Sequence, residues 1–115
     1  MENTINESQL SHKSCKPCEG GVAPMTEDEI KAKLDMIAGW KYKDGCIERR
    51  FLFKDHYETI AFVNAVAWIS HAQGHHPDML VGYNGCKIRY STHSIGGMSE
   101  NDFICAARVN SLLSP

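Results

Sequence analysis

Apolar positions along the chain repeat with two periods, one helical and one alternating, and the two kinds of segment follow each other in turn. Ile30, Leu34 and Ile37 recur at helical spacing. Thr26, with a Glu three residues later, is placed as an N-cap, and Gly39 is placed to end the helix. The first periodic segment is therefore predicted to be a helix between Thr26 and Gly39.

Two further segments show helical spacing. Asp55 is placed as the N-cap of a long helix that runs to about Gln73, with Gly74 behind it. Its apolar residues form a broad face, which predicts the central helix of the core. Ser99 is placed to begin a last helix, whose inner stripe is Phe103, Ala106, Ala107 and Asn110.

Between the helices, apolar and polar residues alternate, as they do in half-buried strands. Each alternating stretch is interrupted by Asp-Gly or Asn-Gly, the dipeptides that favour type I′ hairpin turns. Two hairpins are predicted: Trp40–Lys43 with Cys46–Phe53 around Asp44-Gly45, and Met79–Tyr83 with Cys86–Thr92 around Asn84-Gly85.

The order helix, hairpin, helix, hairpin, helix predicts an α+β fold. Two hairpins can join into a four-stranded antiparallel sheet, and three amphipathic helices then cover one face to give a two-layer sandwich. Residues 1–24 show no periodicity and are predicted to be a loosely ordered N-terminal tail. Residues 25–115 are predicted to form a single domain.

Composition narrows the classes of function. The 115 residues carry 12 Lys and Arg against 14 Asp and Glu, a net charge of −2, which argues against a nucleic-acid partner bound through bulk charge. No apolar run approaches the roughly 20 residues of a membrane span. The polar, acidic start does not have the features of a secretory signal, so a cytoplasmic protein with reduced thiols is expected.

The five cysteines do not make a complete disulfide framework, because their number is odd. Cys15 and Cys18 form a lone CxxC in the predicted tail, and this supplies only two of the four ligands of a structural zinc site. Two free thiols are the favoured interpretation, with a metal or redox role that includes His12 as the alternative. The other three cysteines are expected to be small packed residues.

Histidines provide the candidate chemistry, because four of the six fall within one 23-residue window: His71, His75, His76 and His93. Pro77 stiffens the loop that carries the His-His pair. Three interpretations compete. The histidines could cap the end of the helix, or His71, His75 and His93 could bind zinc, or the imidazoles could exchange protons with an organic substrate near neutral pH.

These residues resemble the signature of the pterin-4a-carbinolamine dehydratases. The match consists of His71-x-x-x-His75-His76-Pro77 followed by Tyr83, His93 and Asp102, and it extends upstream through Gly39-Trp40 and Phe51-x-Phe53-x-Asp55. It covers about residues 26–111. The chain departs from the commonest pattern at His71, where many members carry a Glu, so a catalytic role of that Glu cannot be transferred.

The resemblance implies a hydro-lyase that eliminates water from a 4a-hydroxytetrahydropterin to give a quinonoid dihydropterin, with neither metal nor cofactor. This reaction recycles the pterin used by aromatic amino acid hydroxylases, which implies a functional link to such an enzyme. Members of the family form dimers and tetramers, so a homodimer or homotetramer is expected.

The resemblance also implies roles for individual residues. His75 and His93 are general-acid candidates, His76 binds the pterin and acts as the base partner, and Asp102 orients a histidine. Weaker candidates for substrate binding are Trp40, Arg89 and His71. Two alternatives stay open: a protein-interaction module, as in relatives that act as dimerisation cofactors of a transcription factor, and a His-ligated zinc hydrolase.

Overall fold

The computed structural model describes residues 6–17 and 23–113. Its elements are α1 (Glu7–Ser11), α2 (Glu27–Leu34), β1 (Lys41–Lys43), β2 (Cys46–Leu52), α3 (His56–Gln73), β3 (Asp78–Val81), β4 (Gly85–Tyr90), a 3₁₀ turn (His93–Ile95) and α4 (Glu100–Ser111). The strands form one antiparallel sheet in the order β1-β2-β4-β3. The predicted α+β fold with a four-stranded sheet built from two hairpins is therefore confirmed.

The first hairpin turns as predicted. Asp44 and Gly45 have φ values of 52° and 76°, and two positive φ angles are what a type I′ turn requires. The Asn84-Gly85 prediction is wrong, because neither residue has a positive φ and the chain turns through residues 82–84, with the Gly82 N–H donating to the Gly85 carbonyl at 2.8 Å.

Gly85 serves a different purpose from the one predicted. A Cβ at this position would lie 2.8 Å from the carbonyl oxygen of Phe51, closer than such atoms can approach. The residue begins β4 and pairs with Leu52 of β2. Glycine is therefore needed here so that two neighbouring strands can approach, and not for the shape of the turn.

The most deeply buried helix is α4 and not α3, contrary to the expectation of a central helix at residues 56–73. Nine residues of α4 are buried against four of α3. The reason is that α4 has neighbours on several sides, since it contacts α1, α3 and β4. The predicted inner stripe of α4 is buried throughout: Phe103, Ala106, Ala107 and Asn110.

The N-terminal segment also differs from the expectation in the part that the structure describes. Residues 7–11 form α1, which Asn6 and Gln9 cap reciprocally and which packs on α4. Leu10 is completely buried and anchors the helix. A five-residue helix with one buried side chain is too short to produce a periodic pattern, so sequence reasoning missed it. The predicted domain boundary near residue 25 stays a prediction.

None of the helices within the described residues has both the length and the apolar character needed to cross a membrane.

Candidate active site

The C-terminal end of α3 holds His75 in place. Gly74 adopts the left-handed conformation at φ 64°, and its N–H donates to the His71 carbonyl at 3.2 Å. The N–H of His75 donates to the Ser70 carbonyl at 3.0 Å, which completes a Schellman motif. The backbone of His75 is therefore fixed to the helix end, and its side chain turns toward α4.

His75 pairs with Asp102, which lies in the first turn of α4. The distance from His75 Nε2 to Asp102 Oδ1 is 2.5 Å, and the carboxylate is completely buried. The other carboxylate oxygen, Oδ2, accepts from the Thr92 hydroxyl at 2.8 Å and from the Ser99 N–H at 3.0 Å. Three donors thus converge on one buried carboxylate, which holds it in a single orientation.

The face of the His75 ring packs on Tyr90, the last residue of β4. The two rings are nearly parallel, with an interplanar angle of 9° and centroids 5.9 Å apart. Tyr90 is itself buried, and its hydroxyl lies 2.9 Å from the Ser70 hydroxyl of α3. Burial raises the pKa of Tyr90, which keeps it a neutral platform beside the imidazole.

Burial alone would lower the pKa of His75, but the hydrogen bond and the charge of Asp102 outweigh it, with a smaller contribution from Cys15. The net effect is that the pKa of His75 is raised above its usual 6.5. A raised pKa favours the imidazolium at neutral pH, which is the form that can donate a proton. Because Asp102 occupies Nε2, the nitrogen left for a substrate is Nδ1.

A cleft of about 340 Å³ opens beside this pair. Its lining combines the end of α3, the residues after β4 and part of the N-terminal segment: Cys15, Lys16, Pro17, Gln73, Gly74, His75, Thr92, Ser94 and Asn101. A larger hollow of about 510 Å³ lies on the helix-free face of the sheet, but none of the histidines or carboxylates among the described residues lines it. The cleft at His75 is therefore the better candidate for proton chemistry.

The other predicted histidines are exposed. His76 follows His75, and His93 follows the cleft residue Thr92, so both lie next to the cleft along the chain. His71 lies against Trp68, with ring centroids 5.5 Å apart. Within residues 6–17 and 23–113, none of these three side chains makes a hydrogen bond, in contrast to His75.

Trp40 lies in the core and outside the lining of the cleft. Its indole N–H donates to Asn110 Oδ1 at 2.9 Å, and the same oxygen accepts from Arg49 at 2.7 Å. Arg49 alternates with the buried residues Ile47 and Phe51 on the inward face of β2. It can lie on this apolar face because the buried side chain of Asn110 accepts a hydrogen bond from it. The indole instead packs against the rings of Phe51 and Tyr90.

Arg89 lies on the opposite face of the sheet from the His75–Tyr90 stack. Side chains of successive strand residues point to opposite faces, so Arg89 points away when its neighbour Tyr90 points inward. Its Nε lies 3.2 Å from Oε1 of the buried Glu48. The structure therefore gives Arg89 a partner in the sheet and does not bring it to the cleft.

Sequence reasoning gave no role to two residues that support the site. Tyr90 and Thr92 follow Ile88 at every second position, so the alternation of β4 already placed them on the inward face. The alternation in the sequence could therefore have identified both residues as inward-facing. No pattern could have shown that Cys15, from a segment without periodicity, lines the same cleft.

The ligand set required by the zinc hypothesis does not come together. Among the described residues there is no group of three or more His, Cys, Asp or Glu side chains that could hold a metal ion. His71 and His93 are exposed and make no hydrogen bond to the His75–Asp102 pair.

Comparison with known proteins identifies the family. The model of the family described as pterin 4 alpha carbinolamine dehydratase matches residues 23–112. This chain belongs to that family. The dehydratase match includes every residue of the His75–Asp102 site except the N-terminal wall of the cleft.

Relatives of similar length support the assignment. A protein from Nitrosospira multiformis is 53% identical over 112 residues, which is 97% of each chain. One from Nitrosomonas eutropha is 56% identical over 109 residues, covering 94% of this chain and 96% of the relative. Both are provisionally named pterin-4-alpha-carbinolamine dehydratases, that is, hydro-lyases.

Two solved structures share the fold. A protein from Brucella melitensis, described as a transcriptional coactivator/pterin dehydratase, is 31% identical with a TM-score of 0.74, covering 77% of this chain and 97% of its own. A pterin dehydratase-like protein described as a RuBisCO assembly factor of the alpha-carboxysome is 28% identical with a TM-score of 0.55, covering 65% and 87%.

Proposed function

We propose that this member of the dehydratase family eliminates water from a 4a-hydroxytetrahydropterin to give the quinonoid dihydropterin. The observation that carries the proposal is that His75 lines a cleft and pairs with the buried carboxylate of Asp102. The reaction needs an acid and a base. The acid protonates the departing C4a hydroxyl and the base takes a proton from a ring nitrogen, so the protons balance.

His75 supplies the acid in this proposal. Hydroxide is a poor leaving group, so the C4a–O bond breaks most readily when a proton is delivered to the oxygen as it leaves. The imidazolium of His75 carries that proton on Nδ1, and Asp102 stabilises the charged form through Nε2. Asp102 is a positioning residue, since it is completely buried behind the histidine.

His76 and His93 act at the edge of the cleft. Both are exposed and border cleft residues along the chain, so each can reach a ligand that sits over His75. We assign His76 to binding the pterin and to accepting its ring proton, and His93 to a second acid. Imidazole is the side chain best suited to exchanging protons near neutral pH, and both residues are open to solvent at this edge.

A dehydration assay on synthetic carbinolamine tests the proposal, with spontaneous dehydration subtracted. We expect His75→Ala to lower kcat/KM by about 10²-fold or more, the usual contribution of general acid–base catalysis. His56→Ala is the matched control, because His56 is exposed and stacks on Tyr83 away from the cleft. Wild-type rates in both His75→Ala and His93→Ala would refute the assignment.

The pH profile separates positioning from catalysis. An acid catalyst loses activity as the pH rises through its pKa, so kcat/KM of the wild type should fall along the titration of His75. Asp102→Asn removes the group that raises this pKa, so the fall should move to lower pH. A purely structural role of Asp102 would reduce the rate without moving the profile.

The proposal includes a homo-oligomer in the cytoplasm, linked in function to an aromatic amino acid hydroxylase whose pterin it recycles. Leu80 and Val81 are exposed on the edge strand β3, and Trp68 is exposed on α3. Exposed apolar side chains beside an unpaired strand edge favour association. Sedimentation at micromolar concentration should show a dimer or tetramer, and a single monomeric species would contradict this.

A protein-interaction role is the second candidate, since both solved relatives are described partly in such terms. It makes a distinct prediction for His75→Ala. That variant would lose turnover but keep its elution volume and its association with a partner, because the histidine lies inside the cleft.

A further inference from the structure

Two cysteines that are far apart in the sequence meet beside the active-site cleft. The Sγ atoms of Cys15 and Cys105 are 3.6 Å apart, although 90 residues separate them along the chain. Cys105 lies within α4, and Cys15 lies in the irregular stretch that follows α1. The dehydratase mechanism uses neither thiol.

The two thiols have unlike surroundings. Cys15 is half-buried and lines the cleft, so a small molecule can reach it. Cys105 is completely buried. This arrangement suits disulfide formation. The accessible sulfur can react with a small oxidant, and the buried sulfur in contact with it can then close the disulfide.

Charge favours Cys15 as the nucleophile. The hydrogen bond with Cys105 lowers the pKa of Cys15 most, and the positive charges of His75 and Arg108 lower it further, against the opposing effects of burial and of the Asp102 carboxylate. The same hydrogen bond, together with burial, strongly raises the pKa of Cys105. Cys15 is thus the better nucleophile of the two.

The geometry permits a bond with little movement. A disulfide has an S–S length of about 2.05 Å, so the sulfurs must approach by about 1.5 Å. Cys15 can supply this movement because it lies outside helices and strands. Its backbone is tied to α3 by one hydrogen bond, from its N–H to Gln73 Oε1 at 2.8 Å.

We propose that Cys15 and Cys105 form a peroxide-sensitive thiol pair, which closes to a reversible disulfide in the wall of the His75 cleft. The thiolate of Cys15 attacks one oxygen of hydrogen peroxide, the O–O bond breaks, and the departing hydroxide takes a proton to become water. The sulfur of Cys105 then attacks the sulfenic sulfur of Cys15. The S–O bond breaks, and hydroxide leaves with the proton of Cys105 as a second water.

The net reaction converts two thiols and one peroxide into a disulfide and two waters. Closure ties residues 15–17 covalently to α4, which is one side of the cleft. It also removes the negative charge of a Cys15 thiolate, which contributes to the raised pKa of His75. Because the bond closes a long loop of chain, the oxidised protein should have a higher thermal midpoint than the reduced protein.

Peptide mapping of the full-length protein tests the pair. Reduced protein is treated with hydrogen peroxide, the free thiols are blocked with N-ethylmaleimide, and digests are compared with and without dithiothreitol. We expect a linked peptide that contains Cys15 and Cys105 and that dithiothreitol abolishes. It should be absent from Cys15→Ser and unchanged in Cys46→Ser, a control cysteine on the first hairpin.

Other outcomes would overturn the proposal. One is a linked peptide that joins Cys15 to Cys18, and another is irreversible oxidation of Cys15 with Cys105 still alkylated after unfolding. Cys15→Ser alters a half-buried residue outside α4, so it tests the pair even where Cys105→Ala lowers stability. The readout is covalent mass and not turnover, so it stands or falls separately from the dehydratase proposal.

Discussion

Replacing Asp102 by asparagine should destabilise the protein, and the loss should be larger at acidic than at alkaline pH. Asparagine has the same shape but can present only one oxygen. That oxygen can keep the bonds from the Thr92 hydroxyl and the Ser99 N–H. The amide nitrogen then faces Nε2 of His75, where the wild type has a carboxylate oxygen at 2.5 Å.

The size of the effect follows from the protonation state of His75. When the imidazole is charged, the amide donor faces another donor, and one charge-assisted hydrogen bond worth about 1.5–3 kcal/mol is lost. Asp102 also lies in the first turn of α4, where a negative charge is favourable by about 0.3–1 kcal/mol. Together these give a loss of about 3 kcal/mol at low pH.

At high pH the loss should shrink to about 1 kcal/mol, because a neutral imidazole can accept the amide proton at Nε2. The sign is set by the raised pKa of His75 in the folded protein. A raised folded pKa contributes stability that is complete below the unfolded value of about 6.5 and is lost as the pH rises through the folded value. The variant lacks that contribution.

Urea unfolding of wild type and variant at about pH 5.5 and about pH 9 measures the difference. Asp55→Asn is the matched control, because Asp55 caps α3 by accepting from the Glu58 N–H, and asparagine caps about as well. The control should change the free energy of unfolding by no more than about 0.5 kcal/mol. An equal loss at both pH values, or a larger one at pH 9, would refute the pairing of Asp102 with a protonated His75.

Two further substitutions test the sheet and the core. Gly85→Ala should destabilise the protein by about 1–3 kcal/mol in thermal or urea unfolding, because the added methyl meets the Phe51 carbonyl oxygen at 2.8 Å. Gly82→Ala is the control and should have little effect, since its methyl would be 3.5 Å from the nearest atom. Equal losses in the two variants would contradict the argument. Asn110→Leu should cost about 2–4 kcal/mol, since it leaves the buried indole N–H of Trp40 without an acceptor and removes one of the two oxygens that accept from Arg49 Nη1. Asn64→Leu on the exposed side of α3 should stay within about 0.5 kcal/mol.

Local patterns predicted most of the fold because the elements are amphipathic. Alternation in β2 and β4 fixed which residues point inward, and the positive φ angles at Asp44 and Gly45 are what the Asp-Gly dipeptide favours. The corresponding prediction from Asn-Gly failed at Gly85, where glycine is needed because the neighbouring strand β2 approaches too closely for a side chain. Sequence alone does not show which of two roles a glycine has, because the second depends on a distant segment.

The sequence by itself determined the two hairpins, the order of the elements along the chain, the end of α3 at Gly74 and the family motif around His75. Each of these rests on residues close together in the chain. Only the tertiary structure decided that Asp102 binds His75, that Trp40 and Arg89 lie elsewhere, and that Cys15 reaches Cys105. The reason is that burial and long-range contact set these relations, and neither leaves a periodic trace in the chain.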